Sequence, residues 1–267
     1  MSRNARTDLV FLVVSLAAVV PFVLQLAGLP GGTAGDEVRL YVGNLAKLAF
    51  LAIAAGAAIG CAKQFERDNP MRGTWRLFAA GFVTFAAGQA VLCTYQAVLR
   101  LPSPFPSAAD AFFMCSYPLL LTALFRAIRA YGATGYPIGT PFERAATGGV
   151  VAAVAAIVGY PTLRPVAAMP APALETFLNV GYPVLDLAVL VPVAILLRIA
   201  IRFRGGEVWK VWAGLLAGFT LMCIGDILFA HFTALGRADL DPLIHVMYIL
   251  AYAAIARGAV GQYQLLR

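Results

Sequence analysis

Two stretches of the chain decide its fold: WRLFAAGFVTFAAGQ at Trp75–Gln89 and WAGLLAGFTLMCIGD at Trp212–Asp226. Each stretch begins with tryptophan and ends with glycine followed by a polar residue. Between these landmarks most residues are apolar or small, as in a helix that lies inside a bilayer. An apolar helix of this length that occurs twice is typical of integral membrane proteins built by internal duplication.

The repetition continues on both sides of these stretches, at an offset that falls from 140 residues (Pro21 to Pro161) to 135 residues (Phe113 to Tyr248). Short insertions and deletions in loops produce such a drift. Further matched pairs are Lys47 with Asp186, Lys63 with Arg202 and Tyr117 with Tyr252. The pattern predicts two four-helix membrane repeats, residues 1–135 and 136–267. Because each repeat has an even number of spans, both enter the membrane in the same direction, related by a pseudo-twofold axis along the membrane normal.

The composition predicts an all-α polytopic membrane protein. Hydrophobic residues make up 61% of the 267 residues, charged residues make up 12%, and the mean hydropathy is +0.82. Soluble domains carry about a quarter charged residues, whereas a membrane helix needs about 20 consecutive apolar residues. Eight runs meet this length: Leu9–Leu29, Tyr41–Cys61, Leu77–Leu99, Ala108–Ile128, Ala145–Leu163, Glu175–Ile199, Val211–Leu235 and Leu243–Gln262.

The fifth run is the weakest, because it is rich in alanine and glycine and contains Pro161. Without it the chain would have seven spans and the C-terminus would lie on the other side. The distribution of basic residues favours eight spans with both termini in the cytoplasm, since cytoplasmic loops carry the excess of Lys and Arg. The predicted inner side carries fifteen basic residues, and the outer side carries four, which are Arg39, Arg100, Arg164 and Arg237.

The net charge of +7 therefore reflects topology and contact with anionic membrane lipids. The basic residues are scattered over short loops rather than gathered in one patch, so no nucleic-acid partner is expected. Arg3 and Arg6 precede an apolar run that is too long for a signal-peptide core, and no cleavage site follows it. We expect a retained first span and a multi-pass protein of the bacterial inner (cytoplasmic) membrane.

Four polar positions inside predicted spans stand out: Lys47, Gln89, Asp186 and Asp226. A charged group inside a bilayer is costly, so it is expected to face protein or water and to find a partner. Lys47 could form an ion pair with Asp186 or with Asp226. Such a pair could be a structural tether that fixes helix packing, or part of a site that binds a proton or a ligand.

A second polar cluster is expected near the outer ends of the spans. His231 lies close to the end of the seventh span, His245 close to the start of the eighth, and Asp110 occupies the matching place in the fourth. Two histidines at one depth could ligate haem or a metal, but no third ligand is evident. Hydrogen-bonding residues at a helix interface are the alternative, and no cofactor or metal is expected.

The motifs Tyr117-Pro118 and Tyr182-Pro183 lie inside predicted spans. Proline frees a backbone carbonyl and bends a helix, and the neighbouring tyrosine supplies a hydroxyl group. These motifs could be plain helix kinks or the wall of a small-molecule pocket. Tyr182 also lies one turn before Asp186, on the same helix face.

No signature of a hydrolase, a metalloprotease or a phosphate-binding loop is present, so we expect no enzymatic activity. The four cysteines, Cys61, Cys93, Cys115 and Cys223, lie in or next to predicted spans without Cys-x-x-Cys spacing. They are expected to be apolar core residues rather than disulfide or zinc ligands.

Several of these motifs together resemble a known family. They are Pro106–Phe113, Tyr117–Leu120, Tyr182–Leu187 and Gly225–Ala230. The chain from about Trp75 to Tyr252 resembles the duplicated multi-pass sensor region found N-terminal to bacterial diguanylate cyclases, phosphodiesterases and histidine kinases. The resemblance implies a membrane input module, with Asp110, Tyr117, Tyr182, Asp186 and Asp226 at its recurring polar positions. We expect no output domain after the eighth span, so an output would need a partner protein.

The sequence therefore predicts a non-enzymatic membrane module that binds or senses a ligand and acts through a partner. Two alternatives remain open. One is an accessory subunit that stabilises a larger membrane complex by helix packing. The other is a small proton-coupled transporter that uses Lys47, Asp186 and Asp226.

The predicted topology can be tested with reporter fusions. Green fluorescent protein fused after Arg267 should fluoresce, and alkaline phosphatase fused there should be inactive, because eight spans return the C-terminus to the cytoplasm. A fusion at Ala171, between the fifth and sixth runs, should give the opposite result. Active phosphatase after Arg267 would mean an odd number of spans.

Overall fold

Eight long helices make up the fold in the computed structural model, which describes residues 3–29, 31–101, 104–135, 138–168, 170–201 and 205–267. All eight contain a segment long and apolar enough to cross a membrane, and the described residues include no strand. The helices are α1 (Arg3–Leu26), α2 (Gly32–Gln64), α3 (Pro70–Cys93), α4 (Ala108–Ala133), α5 (Pro141–Ala168), α6 (Ala173–Ile201), α7 (Glu207–Ala234) and α8 (Asp241–Leu265).

This architecture confirms the predicted all-α class with eight apolar helices. The observed helices begin up to nine residues before the predicted runs, as in α2, which begins at Gly32 rather than Tyr41. Helix hydrogen bonding continues through polar residues beyond the apolar stretch, so the helix is longer than the segment that hydropathy detects. A five-residue π-helical segment, Thr94–Val98, extends α3, and one 3₁₀ turn, Ala238–Leu240, precedes α8.

Local sequence signals set several helix starts. The Asn69 side chain accepts a hydrogen bond from the backbone N–H of Met71 at 2.9 Å, and Pro70 occupies the first turn of α3, where its missing N–H costs nothing. Ser107 and Asp110 form a capping box at the start of α4. Gly31, before α2, has a φ of 73°, a conformation that glycine adopts without strain.

Six of the helices close into a ring in the order α2, α3, α4, α6, α7 and α8, and α8 packs back against α2. The two other helices lie outside this ring. Helix α1 packs against α8 and α2, whereas α5 packs against α6 and α7. Among the 18 residues of the most apolar segment, 22% are buried in α1 and 6% in α5, so the rest of the described chain covers only a minor part of either helix.

The packing order within the ring has a twofold pattern. The contacts α2–α3 and α3–α4 in the first half correspond to α6–α7 and α7–α8 in the second, and the contact α2–α8 between halves corresponds to α4–α6. The outer helices depart from this pattern, because α1 packs on α8 of the other half and α5 packs within its own half. The division into repeats at residues 1–135 and 136–267 stays a prediction.

The end of the ring where α3 and α7 begin is filled by five aromatic side chains, here called the aromatic plug: Trp75, Phe78, Phe82, Trp212 and Phe219. None is more than 2% exposed. The ring of Phe78 lies 5.8 Å from that of Phe82 and 6.5 Å from that of Trp212, measured between centroids. The indole N–H of Trp212 donates to the Tyr131 hydroxyl at 2.8 Å. This end of the ring is therefore a closed, densely packed core.

Helices α7 and α8 approach each other closely at glycines. A Cβ atom on Gly214 would lie 3.1 Å from the Ala254 carbonyl oxygen, and one on Gly258 would lie 2.9 Å from the Val211 carbonyl oxygen. The small residues therefore permit backbone contact between neighbouring spans, as small-xxx-small patterns do in membrane proteins. All four cysteines are free thiols in this structure; Cys61, Cys93 and Cys223 are buried, whereas Cys115 is exposed.

Replacing Gly218 by alanine should destabilise this interface. The new Cβ would lie 2.4 Å from Cγ1 of Ile255 and 2.7 Å from the Ala251 carbonyl oxygen, so α7 and α8 must move apart, at a cost of about 1–3 kcal/mol. Thermal unfolding in mild detergent should show a lower midpoint for Gly218→Ala. The matched control is Gly56→Ala on α2, where no atom lies within 4 Å of the added Cβ. Equal midpoints for the two variants would contradict the close approach.

Candidate functional site: a polar cavity in the helix ring

A cavity of about 300 Å³ lies inside the ring, and each of the six ring helices contributes to its wall. The wall includes Lys47 on α2, Phe85 and Gln89 on α3, Asp110, Phe113 and Tyr117 on α4, Asn179 and Tyr182 on α6, Asp226, Phe229 and Ala230 on α7, and Asp241, His245, Tyr248 and Tyr252 on α8. We call this space the ring cavity.

The ring cavity lies at the end of the ring opposite the aromatic plug. Its wall includes Phe105 and Ser107, which precede α4, and Asp241, the first residue of α8. A second space of about 600 Å³ adjoins it among α1, α2 and the start of α8, and the two share Gln96, Asp241 and His245 as lining residues. In the predicted topology this end faces the outside of the cell.

Four side chains from four helices meet at the floor of the ring cavity: Tyr117 (α4), Asp186 (α6), Asp226 (α7) and Tyr248 (α8). The Tyr117 hydroxyl donates to Oδ1 of Asp186 at 2.7 Å and lies 3.5 Å from Oδ2 of Asp226. The Tyr248 hydroxyl donates to Oδ1 of Asp226. We call this group the floor cluster. It joins helices of both predicted repeats.

The two carboxyl groups of the floor cluster are neighbours, because both lie against the Tyr117 hydroxyl. Asp186 is 1% exposed, and its second oxygen, Oδ2, accepts no hydrogen bond from any donor among the described residues. No Lys or Arg in the described ranges forms a salt bridge with either aspartate. Two neighbouring carboxylates that are partly shielded from water repel each other when both are ionised.

A second hydrogen-bonded group lies at the mouth of the ring cavity. Oδ2 of Asp110 accepts from the backbone N–H of Ser107 at 2.6 Å and from its hydroxyl at 3.1 Å. Oδ1 of the same carboxyl accepts from the Tyr182 hydroxyl at 2.7 Å. Because Asp110 completes the capping box of α4, the same carboxylate caps the first turn of α4 and binds Tyr182 of α6.

Lys47 does not form the expected ion pair. Its Nζ lies 3.2 Å from Nδ1 of His245, and the part of the chain that the structure describes holds no salt bridge between Lys47 and Asp186 or Asp226. The predicted pairing is therefore wrong. In the ring, α2 packs against α3 and α8, whereas Asp186 lies on α6 and Asp226 on α7. The ring of His245 also stacks on Phe22 of α1, with centroids 5.0 Å apart.

Gln89 belongs to a chain of amide side chains that sequence reasoning missed. Its Nε2 donates to Oδ1 of Asn44 at 3.5 Å, and Nδ2 of Asn44 donates to Oε1 of Gln96 at 2.8 Å. Asn44 lies three residues before Lys47 and therefore on the same helix face. The three-residue spacing of two polar residues in an apolar run was the sequence signal that could have identified Asn44.

The structure brings most of the nine predicted site residues together. Lys47, Gln89, Asp110, Tyr117, Tyr182, Asp226 and His245 line the ring cavity, and Asp186 is hydrogen-bonded to Tyr117 at its floor. His231, in the last turns of α7, is not among the lining residues, and its ring lies against Phe232. The described residues hold no group of three or more His, Cys, Asp or Glu side chains that could bind a metal.

The Tyr-Pro motifs contribute to the wall of the cavity. Tyr117 and Tyr182 line it, with their rings 6.2 Å apart between centroids. Pro183 has no N–H to offer the carbonyl of Asn179, four residues earlier, and Asn179 also lines the cavity. Of the two interpretations of these motifs, the arrangement therefore favours a pocket wall.

The chain matches no protein-family model, no curated protein and no solved structure. The resemblance to bacterial membrane sensor regions therefore rests on the sequence motifs alone.

Removing the Tyr117 hydroxyl should weaken the protein more than removing a hydroxyl elsewhere in the cavity. Tyr117→Phe leaves Asp186 without its donor inside the ring, which should cost about 1–3 kcal/mol of unfolding free energy. The matched control is Tyr252→Phe, because the Tyr252 hydroxyl makes no hydrogen bond within the described part of the chain, although its ring is also buried. Thermal unfolding in detergent measures the difference, and a Tyr117→Phe midpoint equal to the control would contradict the role of this hydrogen bond.

Proposed function

We propose that this protein is a non-enzymatic membrane module that binds a small ligand in the ring cavity from the outer side and acts through a partner protein. The cavity itself is the observation that carries the proposal. Its volume of about 300 Å³ matches the lower range of small-molecule sites, and it combines apolar walls with a few polar groups, as such sites do.

The floor of the cavity supports binding rather than passage. Below the floor cluster, the aromatic plug fills the remaining ring with side chains that are at most 2% exposed. A ligand that entered from the mouth would therefore meet a closed core. The alternative of a proton-coupled transporter would require this plug to open, and uptake into proteoliposomes would favour that alternative.

We further propose that the protein lies in the bacterial inner membrane with both termini in the cytoplasm. The excess of Lys and Arg on one side of the eight helices supports this orientation. The motifs shared with membrane sensor regions support an input role, in which a separate protein would provide the output.

An accessory subunit of a larger membrane complex is the second candidate. The exposed apolar face of α5 favours it, since Val150, Val154, Ile157 and Tyr160 are each more than half exposed and could pack against another membrane protein as well as against lipid. Purification in mild detergent distinguishes the two candidates. An accessory subunit should purify in a stoichiometric complex with its partners. A substitution that fills the ring cavity should leave this complex unchanged.

Filling the cavity should abolish ligand binding without unfolding the protein. Ala230 lines the cavity, so Ala230→Phe places a phenyl ring there. We would use three probes that share a phenyl ring and differ in charge: 2-phenylethylamine, 2-phenylethanol and phenylacetate. At least one should raise the thermal midpoint of the purified wild-type protein in a saturable manner. Its apparent Kd should rise at least about tenfold in Ala230→Phe.

The matched control for this variant is Ile224→Phe on the same helix, because Ile224 is 41% exposed on the outer face of the ring. This variant should bind the probe as the wild type does. The proposed function would be contradicted if none of the three probes bound, or if Ala230→Phe and Ile224→Phe bound them equally.

A further inference from the structure

We propose that the ring cavity takes a small organic cation, an ammonium group attached to an apolar and preferably aromatic body. This inference rests on the proposed function and names the chemical class of the ligand. Three features of the cavity carry it: aromatic walls, an excess of carboxyl groups over basic groups, and an incompletely satisfied pair of carboxyl groups at the floor.

The wall of the cavity is largely aromatic. Eight rings line it: Phe85, Phe105, Phe113, Tyr117, Tyr182, Phe229, Tyr248 and Tyr252. Several of them pack against one another, so that Phe85 lies 4.9 Å from Phe113 and 5.6 Å from Tyr252 between centroids. The negative faces of aromatic rings attract ammonium groups, and enclosures of such rings recognise organic cations in other proteins.

Carboxyl groups outnumber basic groups on the same wall. Asp110, Asp226 and Asp241 line the cavity, against Lys47 as the one Lys or Arg side chain among its described lining residues. Asp186 adds a fourth carboxyl group, hydrogen-bonded to Tyr117 beside Asp226. A cation that enters from the mouth therefore passes Asp241 and Asp110 before it reaches the floor cluster.

Asp226 is the expected anchor of the ammonium group. Asp110 already accepts three hydrogen bonds, two at Oδ2 from Ser107 and one at Oδ1 from Tyr182, of the about four that a carboxylate can accept. Asp226 receives one hydrogen bond from Tyr248, while its Oδ2 has the longer 3.5 Å contact with Tyr117. An ammonium group donates up to three hydrogen bonds and can therefore use the acceptor that remains. Its charge would also offset the repulsion between Asp226 and Asp186.

The positive charge of Lys47 opposes a cationic ligand, so replacing Lys47 tests the sign of the ligand's charge. Lys47 is 6% exposed and lines the same cavity, where its Nζ lies 3.2 Å from Nδ1 of His245. A cation in the cavity is repelled by this ammonium group, whereas an anion would be attracted to it. Removing Lys47 should therefore strengthen cation binding and weaken anion binding. A residue that only supports the fold would weaken both.

The experiment measures the Kd of 2-phenylethylamine, 2-phenylethanol and phenylacetate by calorimetry on the purified full chain in mild detergent at neutral pH. The amine, which is then protonated, should bind most tightly. Asp226→Asn should raise the Kd of the amine about tenfold or more and leave that of 2-phenylethanol unchanged. Lys47→Met should lower the Kd of the amine about threefold or more.

The control is Glu143→Gln, the same type of exchange at a carboxyl group that pairs with Arg198 outside the cavity, and it should leave all three Kd values unchanged. If Asp226→Asn does not fold, the direction in which Lys47→Met changes the Kd of the amine tests the inference by itself. The inference is overturned if phenylacetate or 2-phenylethanol binds as tightly as the amine, or if Lys47→Met weakens binding of the amine. In those cases the cavity still binds a ligand, so the proposed function stands. Binding of none of the three overturns both.

Discussion

Two carboxyl groups buried inside a ring of membrane helices constrain the rest of this structure. Asp186 and Asp226 cannot face hydrocarbon without a large desolvation cost, and they are satisfied only where Tyr117 and Tyr248 reach them from two other helices. Four helices must therefore meet at one point, at one depth and in one rotational setting. Apolar side chains cannot impose this, because a leucine that faces lipid and a leucine that faces another helix have nearly the same environment. The hydrogen bonds of the floor cluster specify the ring, and close packing at Gly214 and Gly258 then brings α7 and α8 together.

The number and type of the helices could be predicted from sequence because the signals are local. Apolar length identifies a span within its own residues, and a polar residue in such a span is expected to face protein wherever that protein lies. Hence Gln89, Asp110, Tyr117 and Tyr182 could be identified before their neighbours were known. The partner of Lys47 could not, because it depends on which helices adjoin α2 and on the width of the cavity. His245 comes from the last helix of the chain, and nothing in the span around Lys47 indicates that α8 packs there. Helix α1 packs against both halves, whereas α5 packs only within its own half. No sequence signal indicates this difference, for the same reason.

The polar groups are arranged in layers rather than spread evenly along the ring. Asp110 and Tyr182 lie at the mouth, Lys47 and His245 lie at the wall, and the floor cluster closes the space before the aromatic plug begins. This order separates two tasks. The aromatic plug supplies dense packing that stabilises one end of the ring. The other end can therefore keep an open space of about 300 Å³, although its polar lining lowers the stability of the fold. A binding site and a stable core thus occupy different depths of the same six helices.

The floor cluster also explains how ligand binding in the cavity could change the opposite ends of the helices, which the predicted topology places in the cytoplasm. Its members belong to α4, α6, α7 and α8, and two of these helices, α4 and α6, contain a proline within two residues of a cavity tyrosine. Proline removes one backbone hydrogen bond and leaves the helix easier to bend there. A ligand that draws Asp226 away from Asp186 changes what Tyr117 can donate to, and Tyr117 is next to Pro118. Any ligand with different affinities for the bent and straight forms of these helices shifts their populations. Because α4 and α7 continue from the floor cluster into the layer of Tyr131 and Trp212, that shift would be carried through the plug to the far ends of the helices. The predicted topology places these ends in the cytoplasm, where the proposed partner protein would bind.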